Sequence, residues 1–246
     1  MPRRIIACLA LALGFLTAAP ILAGAASPAA RAERDREFGF QLLLMRGHLA
    51  VGRALLDAGR RDMAAEHFAH PRAELYDDVA PELKRRGIKP FDARLQALAD
   101  AAASDKASVE DVRARLARVL ASVGGAWNTI PAERRHDPGF VAALVGDALY
   151  AAAGEYGTAV EDGRFAEVSE YQDSHGFLVA ARELWRGAAE TVRRSRPASY
   201  ERVAAALATF KRALPTPLPP PAPVVEPEAL KRAAGDLVAA LQEKKT

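Results

Sequence analysis

From Glu33 to Leu214 the chain repeats one pattern. Apolar residues return at the three-and-four spacing of a helix, and no stretch alternates apolar with polar residues as a strand would. Ala, Leu, Arg and Glu dominate, and β-branched runs are few. Stops are Gly and Pro, and starts are often Asp, Ser or Pro. The chain is therefore expected to be all-α. Helical segments are read over residues 33–58, closed by Gly59, and over "RDMAAEHFA" up to a break at His70-Pro71. Others follow over 72–86, closed by Gly87, from Pro90 through "PFDARLQALADAAA", and over "SVEDVRARLARVLASV". That last segment opens with a capping box, Ser108 with Asp111 three residues on, and is expected to stop at Gly124-Gly125. Further helices are read from Pro138 to about Asp162, from about Phe165 to Arg194, and over "ASYERVAAALATFKRAL". Long helices joined by short loops imply an antiparallel helical bundle. No fixed-period repeat supports a solenoid, although "LLDAGRRDMAAEHF" has the look of one helix-turn-helix unit.

The first 25 residues belong to a different object. A positive MPRR is followed by the apolar IIACLALALGFLTAAPILAGA, with Ala23 and Ala25 at the −3 and −1 positions of a cleavage site. This reads as a secretory signal peptide. An uncleaved anchor is the competing reading, and Pro20 with the Ala-Gly-Ala exit favours cleavage. Cleavage removes Cys8, the one cysteine, so the mature chain has no disulfide and no thiolate ligand or nucleophile. It also removes Arg3 and Arg4, so Lys+Arg falls from 34 to 32 against 31 Asp+Glu, a net charge of +1. That balance argues against nucleic acid as a partner. No later apolar run is long enough to cross a bilayer. The expectation is a soluble periplasmic or secreted protein, with a signal peptide at 1–25, a bundle at 26–214, a linker at 215–227 and a tail helix at 228–246.

Seven of the thirteen residues in "PTPLPPPAPVVEP" are proline. Such a segment favours a semi-rigid polyproline II spacer, on the order of 40 Å if fully extended. The helix after it is amphipathic, with Leu230, Leu237 and Leu241 on one face. Alone it would be marginal in water, so it either folds back onto the body or docks on another protein.

Histidines and methionines mark the first candidate site. Met45 and His48 lie three apart on the first helix; Met63 and His67 lie four apart on the next, with His70 at its end and Glu74 one turn further. Two neighbouring antiparallel helices would bring these residues together. Imidazole with thioether suits copper or haem iron, and imidazole with carboxylate suits iron, zinc or copper. The residue before a proline avoids the α region, so His70 is expected at a junction rather than stacked on His67. The competing reading makes these histidines partners of free helix-end carbonyls and Met63 core filler.

A second candidate set lies in "EVSEYQDSHGF", where Glu167, Tyr171 and His175 form a stripe, with Glu170 and Asp173 beside it on the polar side. Facing helices that offer carboxylates and a histidine are the way bundles build iron sites, but the paired Glu-x-x-His signature is absent. A solvated charged face is the plainer reading. Gly176 is out of place in mid-helix and points to a close helix approach. No nucleophile elbow, HExxH or phosphate-cradling glycine loop is present. The protein is expected not to be an enzyme.

Residues 150–186, with Tyr156, Ala159-Val160, Asp162-Gly163 and Glu170-Tyr171, resemble the periplasmic helical module fused to some bacterial high-affinity iron permeases. The stretch "RGHLAVGRALLDAG…HFAHPRAELY" is loosely similar to exported helical proteins of the imelysin and iron-uptake group. Their Gly-x-His-x-x-Glu motif is missing, with Val51 at the glutamate's place. The resemblance implies a helical fold and a role in iron uptake. Together these readings lead to an exported bundle that binds or hands on an iron or copper ion as an accessory to an inner-membrane permease or another envelope protein. The ligands expected are His48, His67, His70, Glu74, Met45 and Met63, with Glu167, Glu170 and His175 as the second set. The alternative is a scaffold that engages a partner through its helical face and tail helix.

Overall fold

The computed structural model describes residues 27–242, so the signal segment, with Cys8, lies outside the described residues. Among the described residues the chain is all-α apart from one two-stranded hairpin. The helices are α1 (Pro28–Asp57), α2 (Arg61–His70), α3 (Tyr76–Arg85), α4 (Asp92–Ala103) and α5 (Val109–Trp127). They continue as α6 (Ala132–Arg135), α7 (Pro138–Ala159), α8 (Val168–Ser195), α9 (Pro197–Ala213) and α10 (Pro227–Gln242). A five-residue π-helical turn, Pro71–Leu75, joins α2 to α3.

Local chemistry explains most boundaries. Ser27 caps α1 by accepting from the Ala30 N–H, and Pro28 occupies the first helical position. Gly59 and Gly87 follow α1 and α3 with φ of 74° and 68°, and in each case the next N–H turns back onto the helix. Ser108 Oγ accepts from the Asp111 N–H at 3.0 Å, as the capping box requires. The helix it starts does not stop at Gly124-Gly125 but runs on to Trp127. Burial of Val123, Ala126 and Ile130 outweighs the low helix propensity of the two glycines.

The helical reading broke the chain at Gly163 between two helices but did not read the hairpin there. Asp162 and Gly163 both have positive φ, 51° and 70°, and close a hairpin that pairs Val160 with Phe165 and Glu161 with Arg164. Two consecutive left-handed residues make the turn type that suits a two-residue hairpin loop, and Asp-Gly is a preferred sequence for it. The hairpin reverses the chain so that α8 returns antiparallel along α7.

Helix α7 runs through the centre, contacting α8 along its length and also α1, α9 and α10. Its many buried alanines, including Ala142, Ala148, Ala152 and Ala159, let the neighbours come close. Arg36 of α1 forks onto Asp147 of α7 at 2.7 and 2.9 Å. Arg61, at the start of α2, donates to the carbonyls of Ala101, Ala102, Ser104 and Ala107, tying α2 to the end of α4.

The proline-rich segment is not a free spacer. Tyr171 Oη donates to Thr216 O at 3.0 Å and Tyr156 Oη to Val225 O at 2.9 Å, so the segment lies as a strap pinned at both ends. Helix α10 then folds back and buries Leu230, Ala234 and Leu237 against the body. Of the two expectations for this face, the structure takes the first, packing it on α7 and α9.

One contact positions everything that follows. Where α1 crosses α8, Gly47 meets Gly176: a Cβ on Gly176 would stand 2.4 Å from Gly47 O, and one on Gly47 would stand 2.5 Å from Phe177 Cδ1. A second close approach brings α2 onto α1, where a Cβ on Gly52 would stand 2.5 Å from Phe68 Cε1. His48 is next to Gly47, His67 is next to Phe68, and Asp173 is one turn before Gly176.

Candidate metal centre

Three imidazoles from α1 and α2 surround a single carboxylate on α8. Asp173 Oδ1 lies 2.6 Å from His48 Nδ1 and 2.8 Å from His67 Nδ1, while Oδ2 lies 3.1 Å from His70 Nδ1. His48, His67 and Asp173 are buried and His70 nearly so. The His70 ring stands edge-on to those of His48 and His67, at centroid distances of 5.1 and 5.3 Å. Phe177 closes the His48 side at 4.9 Å.

The junction at Pro71 differs from the sequence reading. His70 keeps α-helical angles, φ −53° and ψ −46°, although a proline follows. The chain continues as a wide π turn, a form that recurs at functional sites. His67 and His70 therefore do share a helix face, and both reach Asp173.

Electrostatics hold the cluster together. Burial alone would raise the Asp173 pKa, but hydrogen bonds from His48 and His67 and the close contact with His70 outweigh it and hold the carboxyl far below its usual range. Burial alone would lower the His70 pKa, yet the close contact and charge of Asp173, with the charges of Glu74 and Glu66, raise it. His67 also has its second nitrogen engaged, with Nε2 at 2.8 Å from Gln172 Oε1, while Gln172 Nε2 donates to Met63 Sδ at 3.3 Å. In this arrangement Gln172 Oε1 accepts a hydrogen bond from the Nε2–H of His67. His67 Nδ1 then faces the carboxylate either as part of an imidazolium or with a lone pair free for a cation. Fixing one ring nitrogen from outside is how proteins present the other to a metal.

The donor set fits a borderline or hard transition metal. One donor atom from each of His48, His67, His70 and Asp173 lies within 4.8 Å of the others, the one such group of three or more among the described residues. Two ligands with bonds of about 2.1 Å sit roughly 3.4 Å apart around a tetrahedral ion. The nitrogen–carboxylate contacts at 2.6 and 2.8 Å are tighter than that. An ion would push Asp173 outward by a fraction of an ångström and draw the histidines in.

The other expected ligands are placed as follows. Glu74 sits on the π turn, each of its oxygens 4.0 Å from an Nε2, one of His48 and one of His70. Met45 is fully buried in the core, and Met63 is engaged by Gln172. Glu167 is exposed at the start of α8. His175 turns its Nδ1 to Leu214 O at 3.2 Å, and burial lowers its pKa. Glu170 is paired with Glu155 of α7. The second set thus stays dispersed, and Asp173, read as part of the polar side, is the carboxylate at the centre. It was missed because α8 is enclosed by α1, α2 and α7, so Gln172, Asp173 and Ser174 are all buried in succession. Ser174 Oγ donates to Ala152 O at 2.7 Å on the α7 side. A hint was available: a mid-helix glycine three residues after Asp173, and another beside His48.

The Glu155–Glu170 pair has its own pH dependence. Burial, the hydrogen bond to Glu170 and the charges of Glu170, Asp173 and Glu74 push Glu155 up to about 9. The folded state holds this proton more tightly than the unfolded one. Stability from it is complete below about pH 4.3 and drains away as pH rises toward 9. Glu155→Gln, which cannot ionise, should match the parent near pH 5. By pH 8 it should exceed it by about 1 kcal/mol or more, some 2–4 °C in Tm. Thermal melts across that range measure the divergence; parallel pH profiles would show that Glu155 ionises freely.

No curated protein and no solved structure matches the chain. A family model covers its C-terminal part, which holds the four long helices α7 to α10 and Asp173, while the three histidines lie ahead of it. Residues 131–245 match the iron permease-associated 4-helix bundle domain.

Proposed function

We propose that this protein is an exported carrier that binds a transition metal ion, iron foremost, at His48, His67, His70 and Asp173, and serves iron uptake at a membrane permease. The observation that carries the reading is the convergence of three imidazoles from two helices on one buried carboxylate from a third. A buried anion ringed by nitrogen donors needs positive charge at its centre, and either protons or a metal ion supply it. Three nitrogens and one oxygen suit iron, zinc or copper(II) better than copper(I), which favours sulfur. The match of residues 131–245 to an iron permease-associated domain supports iron among these and links the chain to iron uptake. The charged and apolar N-terminal stretch supports export to the periplasm, and no helix among the described residues is long and apolar enough to cross a membrane. The role is carriage rather than catalysis.

Residues 26–246 titrated with Fe(II), Cu(I), Cu(II) and Zn(II) by calorimetry, beside a His67→Ala/His70→Ala double variant, test the reading. Micromolar or tighter binding by the parent, lost in the variant, is expected. Equal weak binding by both proteins would make the cluster a purely structural ion network.

A further inference from the structure

Each imidazole has two nitrogens, and the cluster around Asp173 uses only the Nδ1 atoms of His48 and His70. Their Nε2 atoms face the two carboxylate oxygens of Glu74, at 4.0 Å each. That gap is too long for a hydrogen bond. It is close to the widest span, about 4.2 Å, that one ion can bridge with two bonds of about 2.1 Å. The His48 side chain is only 3 % exposed. With its Nδ1 donating to Asp173, its Nε2 is left as a lone pair facing an anion, an arrangement that a cation between them would relieve. Glu74, by contrast, is 53 % exposed. It is the donor of this neighbourhood that solvent reaches most freely, and it stands on the π turn at the edge of the cluster.

Building on the metal-carrier reading, we propose that Glu74, with His48 Nε2 and His70 Nε2, forms an outer station that captures the incoming ion before it reaches the inner position at Asp173. An ion arriving from water first exchanges part of its hydration for the Glu74 carboxylate. One of the two imidazoles, each across its own Glu74 oxygen, then binds it through Nε2. Reorientation of that ring presents Nδ1, and Asp173 completes the inner set. His67, tied by Gln172, stays in the inner position throughout. The negative charge of nearby Glu66 adds to the attraction for a cation at this mouth.

The test is stopped-flow uptake of Co(II), whose visible absorption reports its ligands, by the full chain and its Glu74→Gln variant. A fast first phase followed by a slower spectral change is expected for the parent. Glu74→Gln should lose the fast phase and take up metal about 10-fold more slowly, with its final spectrum unchanged and its Kd within about 3-fold. Equal rates in both proteins would overturn the outer station. Loss of equilibrium binding in Glu74→Gln would overturn it too, because Glu74 would then be a permanent ligand. If the parent takes up no Co(II), or the His67→Ala/His70→Ala variant binds it as tightly as the parent, the carrier reading itself fails. That result is separate from any behaviour of Glu74→Gln.

Discussion

Gly176→Ala should lower Tm by roughly 6–12 °C and weaken metal binding at least about 10-fold. The added methyl would sit 2.4 Å from a backbone oxygen, Gly47 O, and 3.1 Å from Val51 Cγ1. A backbone atom in a packed helix cannot rotate away as a side-chain tip can, so α1 and α8 must separate. The cost is at the upper end of that for overpacking, about 3 kcal/mol. Separation also pulls His48 from Asp173, whose 2.6 Å contact spans the same crossing. Stability and affinity should therefore fall together. Gly187→Ala, further along α8 where nothing lies within 4 Å of the new Cβ, is the control. It should stabilise by about 0.5–1 kcal/mol, since alanine is the better helix former. Equal melting points for the two variants would mean that the α1–α8 approach is loose. Calorimetric metal titration of both completes the comparison.

The second large effect is expected from Asp173→Asn. An asparagine has nearly the same shape, so little packing is lost and the charge is what changes. In the parent the carboxylate is depressed and His70 is raised. The first stabilises above the unfolded carboxyl value of about 3.9, and is lost as pH falls through the folded value. The second stabilises below the unfolded histidine value of about 6.5, and is lost as pH rises through the folded value. The metal-free variant should thus be weakest relative to the parent between about pH 4 and 6.5. The deficit there should reach about 3–5 kcal/mol, the usual result of leaving buried charge without its partner. It should shrink at higher pH as His70 becomes neutral. Metal addition separates the proteins further. At about 100 times Kd an ion stabilises the parent by about 2.7 kcal/mol, and Asp173→Asn should show no such gain. Paired melts with and without Fe(II) or Zn(II) measure both effects. A variant that melts like the parent at pH 6 and gains equally from metal would remove Asp173 from the site.

The helices and their ends were legible in the sequence because their causes are local. Helical spacing of apolar residues, Ser108 as a cap, and Gly59 and Gly87 in the left-handed conformation act within a few residues of where they stand. The Ser27 cap, six residues ahead of the helix start read at Glu33, was passed over. The hairpin was legible too, since Asp162-Gly163 is a strong turn signal, but the helical pattern on either side hid it. Three of the four central side chains carried a signal as well. His48, His67 and His70 stand at helical spacings on two neighbouring helices, and facing helices imply a meeting.

What only the tertiary structure decided is which carboxylate completes the set. Asp173 lies 125 residues from His48 and 106 from His67. On α8 taken alone it looks like part of the polar side. Whether that side meets water or protein depends on where α1 and α2 lie, and their position depends on two glycine contacts between distant segments. The same holds for Glu74, whose distance to two Nε2 atoms follows from a π turn that the His-Pro pair did not suggest, and for the proline strap, which two tyrosine hydroxyls hold down. A helix propensity is a property of a few adjacent residues. A site is a property of the distances between helices, and those are set by backbone contacts that carry no local signature.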